Sequence, residues 1–393
     1  MKKSKRAALL ASLGIVLLLL AALFLVSERT SLLLRPLEMI QENRPTPEPA
    51  PEPTPHVHVY DPDAHQCSLC GEACPHANGF DESHRCRDCA WLCPHVTHDK
   101  ETAACTVCGA QFNHHFGMDG ICDVCGAEAL LYTAALPEQY YSPAAHTGRC
   151  LRDTLTLPDG LKLDLAVYLP WDYNTDTRYN VAVMLHGDGG SCDDWTEAEE
   201  RTPLGDIRFY TVYDNIVEEH LCDPFIVVGI DNRYLKSSFY GEGLIEQTLL
   251  PYVARSFSTW MEGESYEEIA AAREHIAIGG LSRGSIYTYG VGMTRCLDVA
   301  ANFCCFSNGY IGDVPRQMRA EGREDLPIVS YIATVGLQDE YVYVRAHRYD
   351  YEVLCTGIDA ITDGENARMF EIDAGHDFIT WTASFYNALL LMF

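Results

Sequence analysis

Residues 275–285 read HIAIGGLSRGS, and the order of these residues decides the fold. A short apolar run, Ile276-Ala277-Ile278, ends at two glycines. A serine then stands between Gly280 and Gly284, and an apolar, helix-compatible stretch follows. Gly-x-Ser-x-Gly between a strand and a helix is the pattern of a nucleophile elbow. The flanking residues must be small because the chain turns sharply to lift the serine hydroxyl above a sheet. Three fixed positions recur by chance in chains of this size, so the weight rests on the surroundings.

Working outward, VAVMLHG (181–187), FIVVGID (225–231) and SYIATVG (330–336) repeat the design of an apolar run ending in glycine or a polar residue. Such runs read as buried strands, and 243–260 and 378–393 read as helices. Strands alternating with helices predict a mainly parallel sheet covered on both faces, here an α/β-hydrolase sandwich over residues 129–393. Active residues then belong at the carboxyl ends of the strands.

Three further parts fall where such a sheet requires them. His186-Gly187-Asp188-Gly189-Gly190 ends an upstream strand, a glycine-rich loop whose backbone N–H groups near Gly187 are free to face a developing oxyanion; the second donor is the N–H of Arg283, directly after the serine. Asp339 follows the strand ending at Gly336, and His376 lies in DAGHDFITW ahead of the last helix. The order Ser282, Asp339, His376 is that of an α/β-hydrolase triad. Asp373 and Glu340 are substitutes for the acid; Asp377 adjoins the base and is expected to point elsewhere.

HGDGGSCDDW (186–195), GLSRG (280–284), GLQDE (336–340) and GHDFITW (375–381) together resemble the esterase-D-like α/β hydrolases, which include feruloyl and acetyl-xylan esterases. The resemblance spans about residues 150–393. It implies Ser282 as nucleophile, His376 as base, Asp339 as the acid that orients it, and ester hydrolysis with no cofactor. One departure is GLSRGS, where many relatives carry Met and a second Gly after the serine; Arg283 and Ser285 there bear on substrate fit.

Upstream, ten of the 17 cysteines lie between Cys67 and Cys125. The stretch repeats C-x-x-C-x-x-x-C-P-H at a 19-residue period: Cys67, Cys70, Cys74 and His76, then Cys86, Cys89, Cys93 and His95. A degenerate third copy keeps Cys105, Cys108 and the His114 offset but has Phe112 for its third cysteine, and Cys122 and Cys125 close the series. C-x-x-C pairs at this separation are a zinc signal, because each turn presents two thiolates and two turns complete a tetrahedron. The repeats resemble zinc-ribbon or zinc-knuckle modules. Pairing Cys67/Cys70 with Cys86/Cys89, Cys105/Cys108 with Cys122/Cys125, and Cys74/His76 with Cys93/His95 gives three structural zinc sites. An iron–sulfur reading lacks its earlier cysteine at Ala64 and Ser83, and a disulfide framework leaves the repeated histidines without a role. The other seven cysteines, scattered from Cys150 to Cys355, read as small buried apolar side chains.

The N-terminus joins MKKSKR to 20 uncharged residues, Ala7 to Val26. At 1.5 Å per residue that run spans roughly 30 Å, enough to cross a bilayer, and the basic tip stays inside. Residues 1–30 therefore read as a signal anchor, with cleaved secretion as the other option, and 31–62, which contains RPTPEPAPEPTP, as a semi-rigid stalk. Residues 63–128 form the Cys/His module, and the chemistry lies outside the membrane. With 28 basic against 56 acidic residues, a net of −28, the chain repels a phosphate backbone, and nucleic acid is excluded as a partner. The expected function is hydrolysis of esters, feruloyl or acetyl, on polysaccharide. Two alternatives stand beside it: a surface-binding zinc module on an inactive hydrolase scaffold, and an acyltransferase or peptidase using the same triad.

Overall fold

The computed structural model describes residues 59–61, 66–69, 71–196, 209–236, 243–308, 314–320, 322–323 and 325–393. The proposed signal anchor and most of the stalk lie outside these. Among the described residues, no helix is long and apolar enough to cross a membrane. The chain divides into two compact units, Met1–Ala77 and Asn78–Phe393. In the described part of the first, isolated bridges pair Tyr60 with Cys67 and Gln66 with Ala73.

In the second unit eight described strands make one sheet: β1 (Arg149–Thr156), β2 (Lys162–Leu169), β3 (Asn180–Leu185), β4 (Phe225–Ile230), β5 (Ile276–Leu281), β6 (Asn302–Phe306), β7 (Ser330–Gly336) and β8 (Ala367–Ile372). Their spatial order is β1-β2-β4-β3-β5-β6-β7-β8. The pairs from β4 onward are parallel, whereas β1–β2 and β2–β4 are antiparallel. This is the mainly parallel α/β sheet expected from the sequence. The central strands β4, β5, β6 and β7 are buried at every residue, which is why they read as continuous apolar runs rather than alternating ones. One side of the sheet packs Ile226, Val228, Ile278 and Phe303; the other packs Val227, Cys304, Trp381 and Phe385.

Four helices place the site: α1 (Phe209–Glu218), α2 (Arg283–Tyr287), α3 (Val344–Gly357) and α4 (Phe378–Leu391). The predicted helix at 243–260 is realised as consecutive helical turns over Ile245–Ser256. Of the scattered cysteines, Cys192, Cys222, Cys296, Cys304 and Cys305 are buried like apolar side chains, while Cys150 and Cys355 are half-buried.

Residues 112–128 are built into the second unit rather than hung from it. Phe116, Met118 and Cys122 belong to the same apolar core as Trp381 and Phe385. The His114 N–H donates to the His220 carbonyl at 2.7 Å, Asn113 Nδ2 to Asp223 at 2.7 Å, and Arg368 of β8 to the Met118 carbonyl at 2.6 Å.

Candidate active site and metal-binding groups

At the end of β5 the chain turns through Ser282, whose φ of 51° and ψ of −115° are a strained conformation for a residue with a side chain. The turn closes only because its neighbours are small. A Cβ on Gly280 would stand 2.7 Å from the Leu185 carbonyl oxygen, and one on Gly284 would stand 2.1 Å from the same atom. The Ser282 N–H donates to Phe306 O of β6 at 2.8 Å, pinning the elbow to the sheet.

The three side chains singled out in the sequence meet above this turn. Ser282 Oγ and His376 Nε2 are 2.9 Å apart, and His376 Nδ1 lies 2.7 Å from Asp339 Oδ2. The second Asp339 oxygen accepts the Tyr341 and Val342 N–H groups, each at 2.8 Å. Burial alone would raise the Asp339 carboxyl, but the His376 hydrogen bond and the Val342 and Tyr341 N–H groups outweigh it and hold it below its ordinary value. Asp377 is occupied elsewhere: it caps α4 by accepting from the Ile379 and Thr380 N–H groups. Asp373 accepts from Gln338 Nε2 at 2.9 Å.

The His376 ring is held between Tyr341 and Trp381, with ring centroids 5.1 and 5.2 Å away, and the Trp381 indole N–H donates to Ser307 Oγ at 3.0 Å. On the far side the glycine-rich loop comes close, since a Cβ on Gly187 would lie 3.5 Å from Ser282 Cβ. Arg283 contributes its backbone as the first residue of α2, while its guanidinium pairs with Asp188 of that loop. His186 is buried beneath, and its carbonyl accepts Asn232 Nδ2 at 2.6 Å. The cleft is about 500 Å³ and is lined by Ser282, His376, Ile286, Asn308, Tyr341, Val342 and Trp381 among others. A hydroxyl bonded to an imidazole that is itself fixed by a buried carboxylate is the arrangement for activating an oxygen nucleophile.

Known proteins share the fold that carries these residues. No protein-family model matches the sequence. A mutant of the feruloyl esterase module from Clostridium thermocellum, complexed with sinapinate, superposes with a TM-score of 0.56 at 25% identity, over 67% of this chain and 94% of that one. The chain shares the mainly parallel α/β fold of that esterase module. A ferulic acid esterase from Anaeromyces mucronatus shares the fold, with a TM-score of 0.52 at 18% identity, over 67% of this chain and 97% of that one. Endo-1,4-beta-xylanase Y of Acetivibrio thermocellus is 32% identical over 177 residues, 44% of this chain; the chain spans only 15% of that protein's length. The structural neighbours are thus esterases, as the four motifs implied, and they support a carboxylic ester hydrolase.

The Cys/His groups correct the pairing drawn from the sequence. In the second unit Cys93, His95, Cys105 and Cys108 converge with their donor atoms within 4.8 Å of one another, and so do His114, Cys122 and Cys125. Cys105/Cys108 therefore do not share a site with Cys122/Cys125, as the sequence pairing had it, and the partners of Cys93/His95 are Cys105/Cys108. The Cys93–His95 step joins the C-x-x-C turn that follows it, Cys105 to Cys108, and His114 likewise joins the following turn, Cys122 to Cys125. Cys67 is buried, and Cys70 lies outside the described residues. The candidate ligand left out of the sequence pairing is His114, although its 19-residue offset from His95 was the available signal.

The donor sets fit a metal. His95 Nδ1 is 3.3 Å from Cys108 Sγ and His114 Nδ1 is 3.4 Å from Cys125 Sγ, so each imidazole presents the same nitrogen to its group. His114 Nε2 faces the Glu101 carbonyl at 3.5 Å, the kind of outer contact that fixes a ligand ring. These groups are compatible with zinc-knuckle-like repeats.

Proposed function

We propose that this protein is a serine esterase that hydrolyses carboxylic esters, feruloyl or acetyl, carried on polysaccharide. The observation that carries the reading is the continuous hydrogen-bonded series Ser282–His376–Asp339. The esterase neighbours and the xylanase relative support the substrate class.

His376 Nε2 takes the Ser282 proton as Oγ attacks the ester carbonyl carbon, and the carbonyl oxygen becomes an oxyanion facing the N–H groups near Gly187 and of Arg283. Collapse breaks the bond to the alkoxide, which receives the proton from His376 and leaves as an alcohol. Water, deprotonated by His376, then attacks the acyl-serine; collapse breaks the bond to Ser282 Oγ, which takes the proton back from His376 as the acid leaves. Asp339 keeps Nδ1 protonated and stabilises the imidazolium through both half-reactions.

The Cys/His groups would hold zinc in structural roles, thiolate and imidazole being the donors that such sites use. The apolar run at 7–26 supports an anchor that holds the esterase on the outer side of a membrane, with secretion as the other arrangement. The test compares the full chain with Ser282→Ala on p-nitrophenyl acetate and on a feruloyl ester. Turnover by the first and none by the second is the expected result. Equal turnover by both would place the chemistry elsewhere.

A further inference from the structure

The two Cys/His groups of the second unit differ at one position. In the Cys93 group a cysteine stands two residues before the histidine, and four side chains converge. In the His114 group that position is Phe112, whose ring packs on His95 and His98 with centroids 5.2 and 4.9 Å away, toward the neighbouring group. Among the described residues three side chains converge there: His114, Cys122 and Cys125.

We propose that the His114–Cys122–Cys125 group binds a divalent metal of the zinc type through three protein ligands and leaves its remaining coordination position to a monodentate ligand from outside the chain, water or a small anion. The proposal rests on the metal-binding reading above. Four protein ligands close a zinc site, whereas three leave a place for an exchangeable one. Two of the three are firmly held, since His114 and Cys122 are 2% and 1% exposed, Cys122 belongs to the hydrolase core and the His114 N–H donates to the His220 carbonyl. Cys125 is only half-buried, and Gly126 beside it is exposed, so this turn is the accessible edge. Lys100 Nζ donates to the Gly126 carbonyl at 3.0 Å, which sets a cation at that edge and favours an anionic occupant.

The test uses cobalt(II) in place of the native metal in the full chain, held in detergent, with Cys67→Ser and Cys70→Ser to silence the first turn. Azide should shift the visible cobalt bands. In a Phe112→Cys variant the shift should disappear while sulfur-to-cobalt charge-transfer absorption rises at unchanged metal content. Cys125→Ser should lose about one equivalent of metal and, should Phe112→Cys not fold, must also abolish the azide response. Bands indifferent to azide at full metal content would show a fourth protein donor and overturn the proposal, as would Cys125→Ser retaining every equivalent. A chain that takes up no cobalt at all would sink the metal-binding reading itself.

Discussion

Ser282 Oγ and His376 Nε2 stand 2.9 Å apart across 94 residues of sequence. Two separate constraints produce that contact. The elbow forces Ser282 to positive φ with its hydroxyl above the sheet, and the loop between β8 and α4 drops His376 over it, backed by Trp381. Neither residue could be moved by one position without losing the contact.

Ser282→Ala and His376→Ala should each lower kcat by about 10⁴-fold or more at unchanged thermal stability, since members of such a unit fail together. Asp339→Asn should cost a comparable factor, because an amide no longer holds the imidazole in the required tautomer. Steady-state kinetics alongside a thermal melt separate these losses from misfolding. Arg283→Ala should stay within about tenfold of the parent, as its side chain pairs with Asp188 and the proposed oxyanion donor is its backbone N–H, which the substitution keeps.

The elbow glycines are predicted to be intolerant. Gly284→Ala would drive a Cβ to 2.1 Å from the Leu185 carbonyl oxygen and should cost about 1–3 kcal/mol or more, read as a fall in denaturant midpoint. Gly290→Ala is the control, for its Cβ meets nothing within 4 Å.

Asp214 on α1 gives a pH dependence of definite sign. It is 3% exposed, and burial pushes its carboxyl up to about 6, partly offset by the Tyr168 hydroxyl at 2.6 Å and the Gly148 N–H. The folded state therefore holds this proton more tightly than the unfolded state, and stability falls as pH rises from about 4 through about 6. Asp214→Asn should stabilise the protein at pH 8, by no more than roughly 2–3 kcal/mol, with the advantage shrinking toward pH 4. Urea melts at the two pH values read it directly, and an equal effect at both would contradict it.

Chelation should destabilise the hydrolase itself. Cys122 shares the core with Trp381 and Phe385, so stripping metal from residues 112–128 should lower the main unfolding transition by roughly 5 °C or more. A calorimetric scan in which that transition stays fixed would show the knuckle to be separable.

The legible parts of the fold were those with an unambiguous period. β3, β4, β5 and β7 are buried on both faces and read as apolar runs, and α4 follows the histidine loop as expected. β1 is a mostly exposed edge strand, RCLRDTLT, and carries little hydrophobic signal; β8, ARMFEI, interrupts its run with Arg368 and Glu371. Arg368 is there for a tertiary reason, reaching the Met118 carbonyl. Ser282, Asp339 and His376 could be picked out because they follow strands in a fixed order, and their side chains meet. The metal pairing could not be read from spacing, because ligand identity is local whereas partnership depends on how each short connection folds back. Nor did composition show that residues 112–128 join the hydrolase core, since that docking lies in single contacts such as Asn113 with Asp223.

The most direct test of the central claim is covalent capture of the nucleophile. The full chain is treated with a fluorophosphonate, and the modified residue is located by peptide mass mapping. A single adduct on Ser282, formed by the parent and lost in His376→Ala, is the result the triad geometry predicts. Ester turnover without any adduct on Ser282, or with the adduct on another residue, would contradict it.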